Sequence, residues 1–81
     1  MFSFLSVFNK SSHVLYVISD DEIIFSEVLP NTITKPKRIT YASIRVIIKS
    51  SRGMPIFDLW LPIKKETSHT LTIRDTSFDF K

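Results

Sequence analysis

Between His13 and Leu29 the chain places two apolar segments around an acidic pair: His13-Val-Leu-Tyr-Val-Ile-Ser19, then Asp20-Asp21, then Glu22-Ile-Ile-Phe-Ser-Glu-Val-Leu29. Short runs of branched and aromatic residues on either side of a polar turn are the pattern of a β-hairpin. With a two-residue loop, Ile18 faces Ile23 and Tyr16 faces Phe25 on one side, while Val17 faces Ile24 and Leu15 faces Ser26 on the other. Asp-Asp meets the positive-φ demand of the tightest turns only in part, so a four-residue loop, Ser19–Glu22, is the competing register. In the two-residue register both faces near the turn are apolar. A sheet with one wet face alternates cleanly, so this hairpin is expected to be covered twice, inside a curved sheet or against another subunit.

The supply of cover is limited. The chain has 81 residues, and one this short buries only roughly 60% of the surface that its unfolded form exposes. That leaves room for one domain, residues 1–81, with one core. Val, Ile, Thr, Tyr, Phe and Trp make up 33 of the 81 residues, a set whose side chains suit a pleated surface. Strand is therefore the default along the chain. The absence of cysteine removes any disulfide framework, thiol nucleophile or cysteine-ligated metal, and points to a reducing, cytoplasmic compartment. Phe2 to Phe8 is apolar but short, without preceding basic residues, and is closed by Asn9-Lys10, unlike a signal peptide. The longest apolar runs, Val14–Ile18 and Leu59–Ile63, fall far short of the roughly 20 residues of a spanning helix. Eleven Ile and eleven Ser beside a single Ala and a single Gly are the bias of AT-rich coding sequence, which suggests a viral or mobile-element source.

Pro30 through Pro36 reads as a connection, since both prolines lock φ and Asn31 favours a turn. From Arg38 to Ser50 the apolar positions switch from odd (Ile39, Tyr41) to even (Ile44, Val46, Ile48), as a bulge or a single helical turn near Ala42-Ser43 would produce. Ile44, Ile47 and Ile48 also satisfy helical spacing, but the β-branched run without a capping box favours strand. Ser51-Arg52-Gly53 is the one glycine-marked turn. Pro55 and Pro62 bracket the next strand and place it at a sheet edge, with Phe57, Leu59 and Leu61 on one face and Ile56, Asp58 and Trp60 on the other. His69 to Arg74 alternates with Leu71 and Ile73 inward, and Phe78 and Phe80 suit a short final strand. The expectation is an all-β fold, a small curved antiparallel sheet or partly open barrel of five to six strands with little or no helix.

The charges are segregated. Residues 1–27 sum to −3, residues 28–52 to +6 and residues 53–81 to zero. Lys35, Lys37, Arg38, Arg45, Lys49 and Arg52 therefore form a basic segment that could meet nucleic acid, an acidic membrane surface or an acidic protein. Binding of single strands also needs exposed aromatics among the cations, and Tyr41 and Trp60 are the ones placed to supply them.

Catalytic readings fail on geometry. In Ser12-His13 and Ser68-His69 the two side chains point to opposite faces of a strand, so neither pair can hydrogen-bond internally. Two histidines fall short of a zinc site. Asp20-Asp21-Glu22 lacks the alternation and glycine of a calcium loop, and one Gly cannot build a phosphate cradle. The reading assigns no catalytic residue, metal or cofactor. Trp60, outward beside Asp58 and flanked by prolines, suits an interface anchor; with the faces inverted it would fill the core.

Leu15-Tyr-Val-Ile-Ser-Asp-Asp-Glu-Ile-Ile-Phe25, followed by Arg38-Ile-Thr-Tyr-Ala-Ser-Ile-Arg-Val46, resembles the repeating core of bacterial pleckstrin-homology-like and GRAM-like domains over about residues 13–48. The resemblance implies a nearly closed antiparallel barrel that binds lipids or proteins without catalysis. The chain departs from that pattern in having too few residues for seven strands and no C-terminal helix after Phe80. The expected function is a non-enzymatic protein-binding or self-associating module, a homo-oligomer or the partner of a host protein, with Val17, Ile24, Trp60 and Asp58 at the interface. Polyanion binding through residues 35–52 is the alternative.

Overall fold

In a computed structural model, residues 2–19, 22–39 and 42–81 are described, and these form nine strands and no helix. They are β1 (Ser3–Asn9), β2 (Leu15–Ser19), β3 (Glu22–Val28), β4 (Thr32–Ile33), β5 (Lys37–Ile39), β6 (Ala42–Ser50), β7 (Pro55–Ile63), β8 (Ser68–Ile73) and β9 (Phe78–Phe80). The all-β expectation holds, with more strands than the sequence suggests and in two sheets that do not close into a barrel. One sheet has the order β3-β2-β6-β7 and is antiparallel throughout. The other runs β4-β1-β8-β9, with β5 also paired to β1. After β1 the chain moves between the sheets two strands at a time.

Alternation explains the layering. Leu5, Val7, Leu71 and Ile73 point inward from the β1–β8 sheet, and Leu15, Val17, Val46, Ile48, Leu59, Leu61 and Ile63 from the other, joining Val28 in one buried aliphatic cluster. Each such side chain contributes about 1.5–3 kcal/mol by leaving water. Val17 is therefore a core residue with no exposed surface, which corrects its assignment to an interface. Ile24 is half-buried and also leans on the core.

The pairing of β2 with β6 is the physical reason, since Val17 sits opposite the buried Ile48, while two bulges change which residues of β3 share that inner face. The two-residue register holds at the turn, where Ser19 pairs with Glu22 and Ile18 with Ile23; Asp20 and Asp21 themselves lie outside the described residues. The ladder then slips, so that Val17 opposes Phe25 and Leu15 opposes Val28. Glu27 takes the left-handed backbone (φ 49°) that the second slip requires. The hairpin's inner face is thus Leu15, Val17 and Phe25, and its outer face carries Ile18 and Ile23.

The parity switch after Ile39 has a different origin from a bulge in one strand. β5 belongs to one sheet and β6 to the other, so the chain changes sheets between them; Thr40 and Tyr41 lie outside the described residues. β7 is an edge strand, as its prolines require. The β6–β7 hairpin closes through Gly53 (φ 79°), whose N–H donates to the Ser50 carbonyl at 2.9 Å, the glycine-dependent form of a three-residue loop. Leu29-Pro30-Asn31-Thr32 is a type II turn with Asn31 at φ 64°.

β1 is the element that sequence reasoning missed. It runs parallel to β8, from Phe4 opposite Ser68 to Asn9 opposite Ile73. Where its outer neighbour breaks between β4 and β5, Thr34 bridges the gap: the Val7 N–H donates to Thr34 Oγ1 and the Thr34 N–H to the Val7 carbonyl, both at 2.9 Å. Asn9 ends β1 fully buried with its amide saturated. Its Nδ2 donates to the carbonyls of His13 (2.7 Å) and Val28 (2.8 Å), and its Oδ1 accepts from the Ser11 N–H (2.9 Å) and Oγ (2.6 Å). It ties the end of β1 to the β1–β2 loop and to the last residue of β3 in the opposite sheet. Asn9→Ala strands two carbonyls and an N–H, so we expect a loss of about 3 kcal/mol in urea unfolding; a loss below 1 kcal/mol would show that water replaces the amide.

Candidate interaction surface

Burying one face of each sheet leaves two outer faces. On the β3-β2-β6-β7 sheet, register sets Ile23 beside Ile18 and Ile18 beside Ile47, a row of three isoleucines across three strands that ends at Asp58 on β7. Cross-strand partners point to the same side, so the row is continuous. Ile23 is 54% exposed and Trp60, opposite Arg45, is 68% exposed. The outward placing of Trp60 and Asp58 agrees with the sequence reading. The isoleucine row, and not Val17 and Ile24, supplies the aliphatic side chains of this outer face.

A charge pair sits within this face. Arg45 Nε donates to Asp58 Oδ1 at 2.9 Å and Nη2 to Oδ2 at 2.5 Å, the fork geometry that suits guanidinium and carboxylate. The hydrogen bonds from Arg45, more than its charge alone, hold the Asp58 carboxyl below its ordinary range, and Arg45 is raised in return. Both side chains are about half exposed, so the pair fixes orientation more than it adds stability.

The basic segment is divided by the fold. Arg45 and Lys49 lie on β6, with side chains on the outer face of that sheet, and Arg52 lies in the β6–β7 turn. Arg38, on β5, belongs to the other sheet, where its guanidinium lies 4.0 Å from the centre of the Phe2 ring. Lys37 turns toward the opening between the sheets and donates to the Ile24 carbonyl at 3.3 Å, beside a groove of about 260 Å³ that Ile24, Ile39 and Ile44 line. Lys35 is in the β4–β5 connection. Outer faces of stacked sheets point away from each other, so the six cations, contiguous in sequence, do not make one surface.

The two Ser-His pairs resolve differently. Ser68 is exposed while His69 is buried, on opposite faces as strand geometry demands. His69 acts as a clasp: Nε2 accepts from the Lys64 N–H at 3.2 Å, Nδ1 lies 3.1 Å from the Lys81 carbonyl, and its ring stacks on Phe80 at 4.9 Å. Ser12 gives both its N–H (2.8 Å) and its hydroxyl (2.9 Å) to Asp75 Oδ1. A serine hydroxyl committed to a carboxylate is not the serine-to-histidine arrangement that activates a nucleophile. Among the described residues no three His, Cys, Asp or Glu side chains converge on a metal position, and no helix is long and apolar enough to cross a membrane.

The comparisons add no relative: no family model matches the chain, and no curated protein matches it.

The Ser12 hydrogen bonds hold Asp75 below the ordinary carboxylate range, with a smaller contribution from His13. A depressed folded value means that the linked stability is fully present above the unfolded value of about 3.9 and disappears as pH falls through the folded value. Asp58 behaves in the same sense. Acid unfolding followed by circular dichroism should therefore steepen below about pH 4, and Asp75→Asn should flatten that limb. An unchanged acid limb in Asp75→Asn would remove the carboxylate from the account.

Proposed function

We propose that this domain is a non-enzymatic protein-binding module that associates with itself through the outer face of the β3-β2-β6-β7 sheet. The observation that carries the reading is the Ile23, Ile18, Ile47 row beside a tryptophan left 68% exposed. An exposed aromatic next to aliphatic residues, with polar groups around it, is the composition of an interface anchor and its surroundings. The face is also self-complementary in charge. Its Arg45–Asp58 pair has a fixed orientation, so a two-fold arrangement can set Arg45 of each copy near Asp58 of the other, with Lys49 a further cation on the same face. A binding role without catalysis is also what the resemblance to pleckstrin-homology-like domains implies. Polyanion binding through residues 35–52 is the less favoured reading, since Arg45 is committed to Asp58 and the remaining cations are spread over both sheets.

Sedimentation equilibrium tests the proposal. The wild-type chain should be dimeric or larger at micromolar concentration, and Trp60→Ser should weaken association about 30-fold, as expected for loss of an anchor worth roughly 2 kcal/mol. A wild-type chain that stays monomeric throughout this range contradicts the proposal, as does self-association that Trp60→Ser leaves unchanged.

A further inference from the structure

The outer face of the other sheet carries a second, chemically different surface. Phe4 and Phe8 project from β1, its central strand, four residues apart and so roughly 13 Å along the strand. Phe2 extends the row and is 46% exposed; Phe4 is 40% exposed. A cation lies over each end of the row, Arg38 at 4.0 Å from the Phe2 ring centre and Lys10 at 5.1 Å from that of Phe8. Alongside runs a line of hydroxyls from β8, with Ser68 opposite Phe4 and Thr72 opposite Phe8. Among the described residues neither Lys10 nor Arg38 has a carboxylate partner. Asp79, in register with Thr72, has the Lys81 ammonium 3.9 Å away.

We propose that this face binds single-stranded nucleic acid, with bases stacked on the phenylalanine row and phosphates held by Lys10 and Arg38. Stacking rings interleaved with unpaired cations are what sequence-tolerant binding of single strands uses, and every base has a face to stack. The hydroxyl line separates this ligand from a membrane. Ser68 and Thr72 can donate to phosphate or base edges, whereas pressing them with the rings into acyl chains would strip them of water without a partner. The row's length suits a short site of about four nucleotides. This inference stands apart from the self-association reading, because Trp60 and the isoleucine row belong to the opposite sheet.

The test is fluorescence anisotropy with a labelled oligothymidine, at low and at physiological salt. Binding should fall with salt with a logarithmic slope of about −1.4, as two phosphate contacts to a single strand give, and Arg38→Ala should reduce that slope by about half. Phe4→Ser should weaken binding about tenfold at every salt concentration. Because Phe4 is exposed, circular dichroism should match wild type; Phe2→Ser provides a second variant outside the strands. Trp60→Ser should bind the oligonucleotide as wild type does. Absence of binding at low salt overturns the proposal, as does binding indifferent to Phe4, Phe2 and Arg38. So does retention only on phosphatidylserine vesicles, which would make the face a membrane surface.

Discussion

One buried layer is all that a chain of this length can build, and the two sheets share it. The fully buried apolar positions are all aliphatic, Phe25, Phe57 and Phe80 pack against them part-buried, and the buried polar residues are Ser3, Ser6, Asn9, Ser11, Ser50 and His69. Each of these has to be satisfied, because an unpaired polar atom costs as much as a core methyl group or more. Asn9 and His69 show how. Each uses its ring or amide atoms to fasten a chain segment that would otherwise have few contacts, and no described buried side-chain polar atom lacks a partner. The layer and its polar margin together consume the apolar supply that the two inner faces need.

Against that constraint, the outer faces stand out. A sandwich of this size needs polar outer positions to remain dispersed, yet one outer face keeps three aligned isoleucines and a tryptophan, and the other keeps a row of phenylalanines under cations. Neither group is part of the buried cluster. They leave apolar surface in water outside that cluster, and this is the physical reason for proposing both as contact surfaces of different chemistry: an apolar one suited to another copy of the chain, and an aromatic and cationic one suited to a stacked polyanion.

Local pattern carried much of this into the sequence. Period-two alternation marked Leu59, Leu61, Leu71 and Ile73 as inward and Trp60 and Asp58 as outward, and Pro55 and Pro62 marked β7 as an edge, all as found. The tight register at Ser19 and Glu22 was legible too. Other features depend on long-range geometry. Nothing near Phe2–Phe8 announces a parallel partner some sixty residues away at β8, so β1 was visible as an apolar segment without a role. The second slip in β3 turns on Glu27 adopting a left-handed backbone, which no residue preference at glutamate signals, and the first sets Phe25 rather than Ile24 opposite Val17. Contiguity in sequence also misled for the basic segment, because the step from β5 to β6 sends its two halves to opposite sides of the molecule.

The central claim is that the outer face of the β3-β2-β6-β7 sheet is dry in the assembled protein and wet in the isolated chain. The chain has a single tryptophan, on that face, so its fluorescence reports the claim without ambiguity. On dilution from high to low micromolar concentration, Trp60 emission should shift to longer wavelength and become more accessible to acrylamide, while the far-ultraviolet circular dichroism stays constant. Emission characteristic of a water-exposed indole at every concentration would contradict the account.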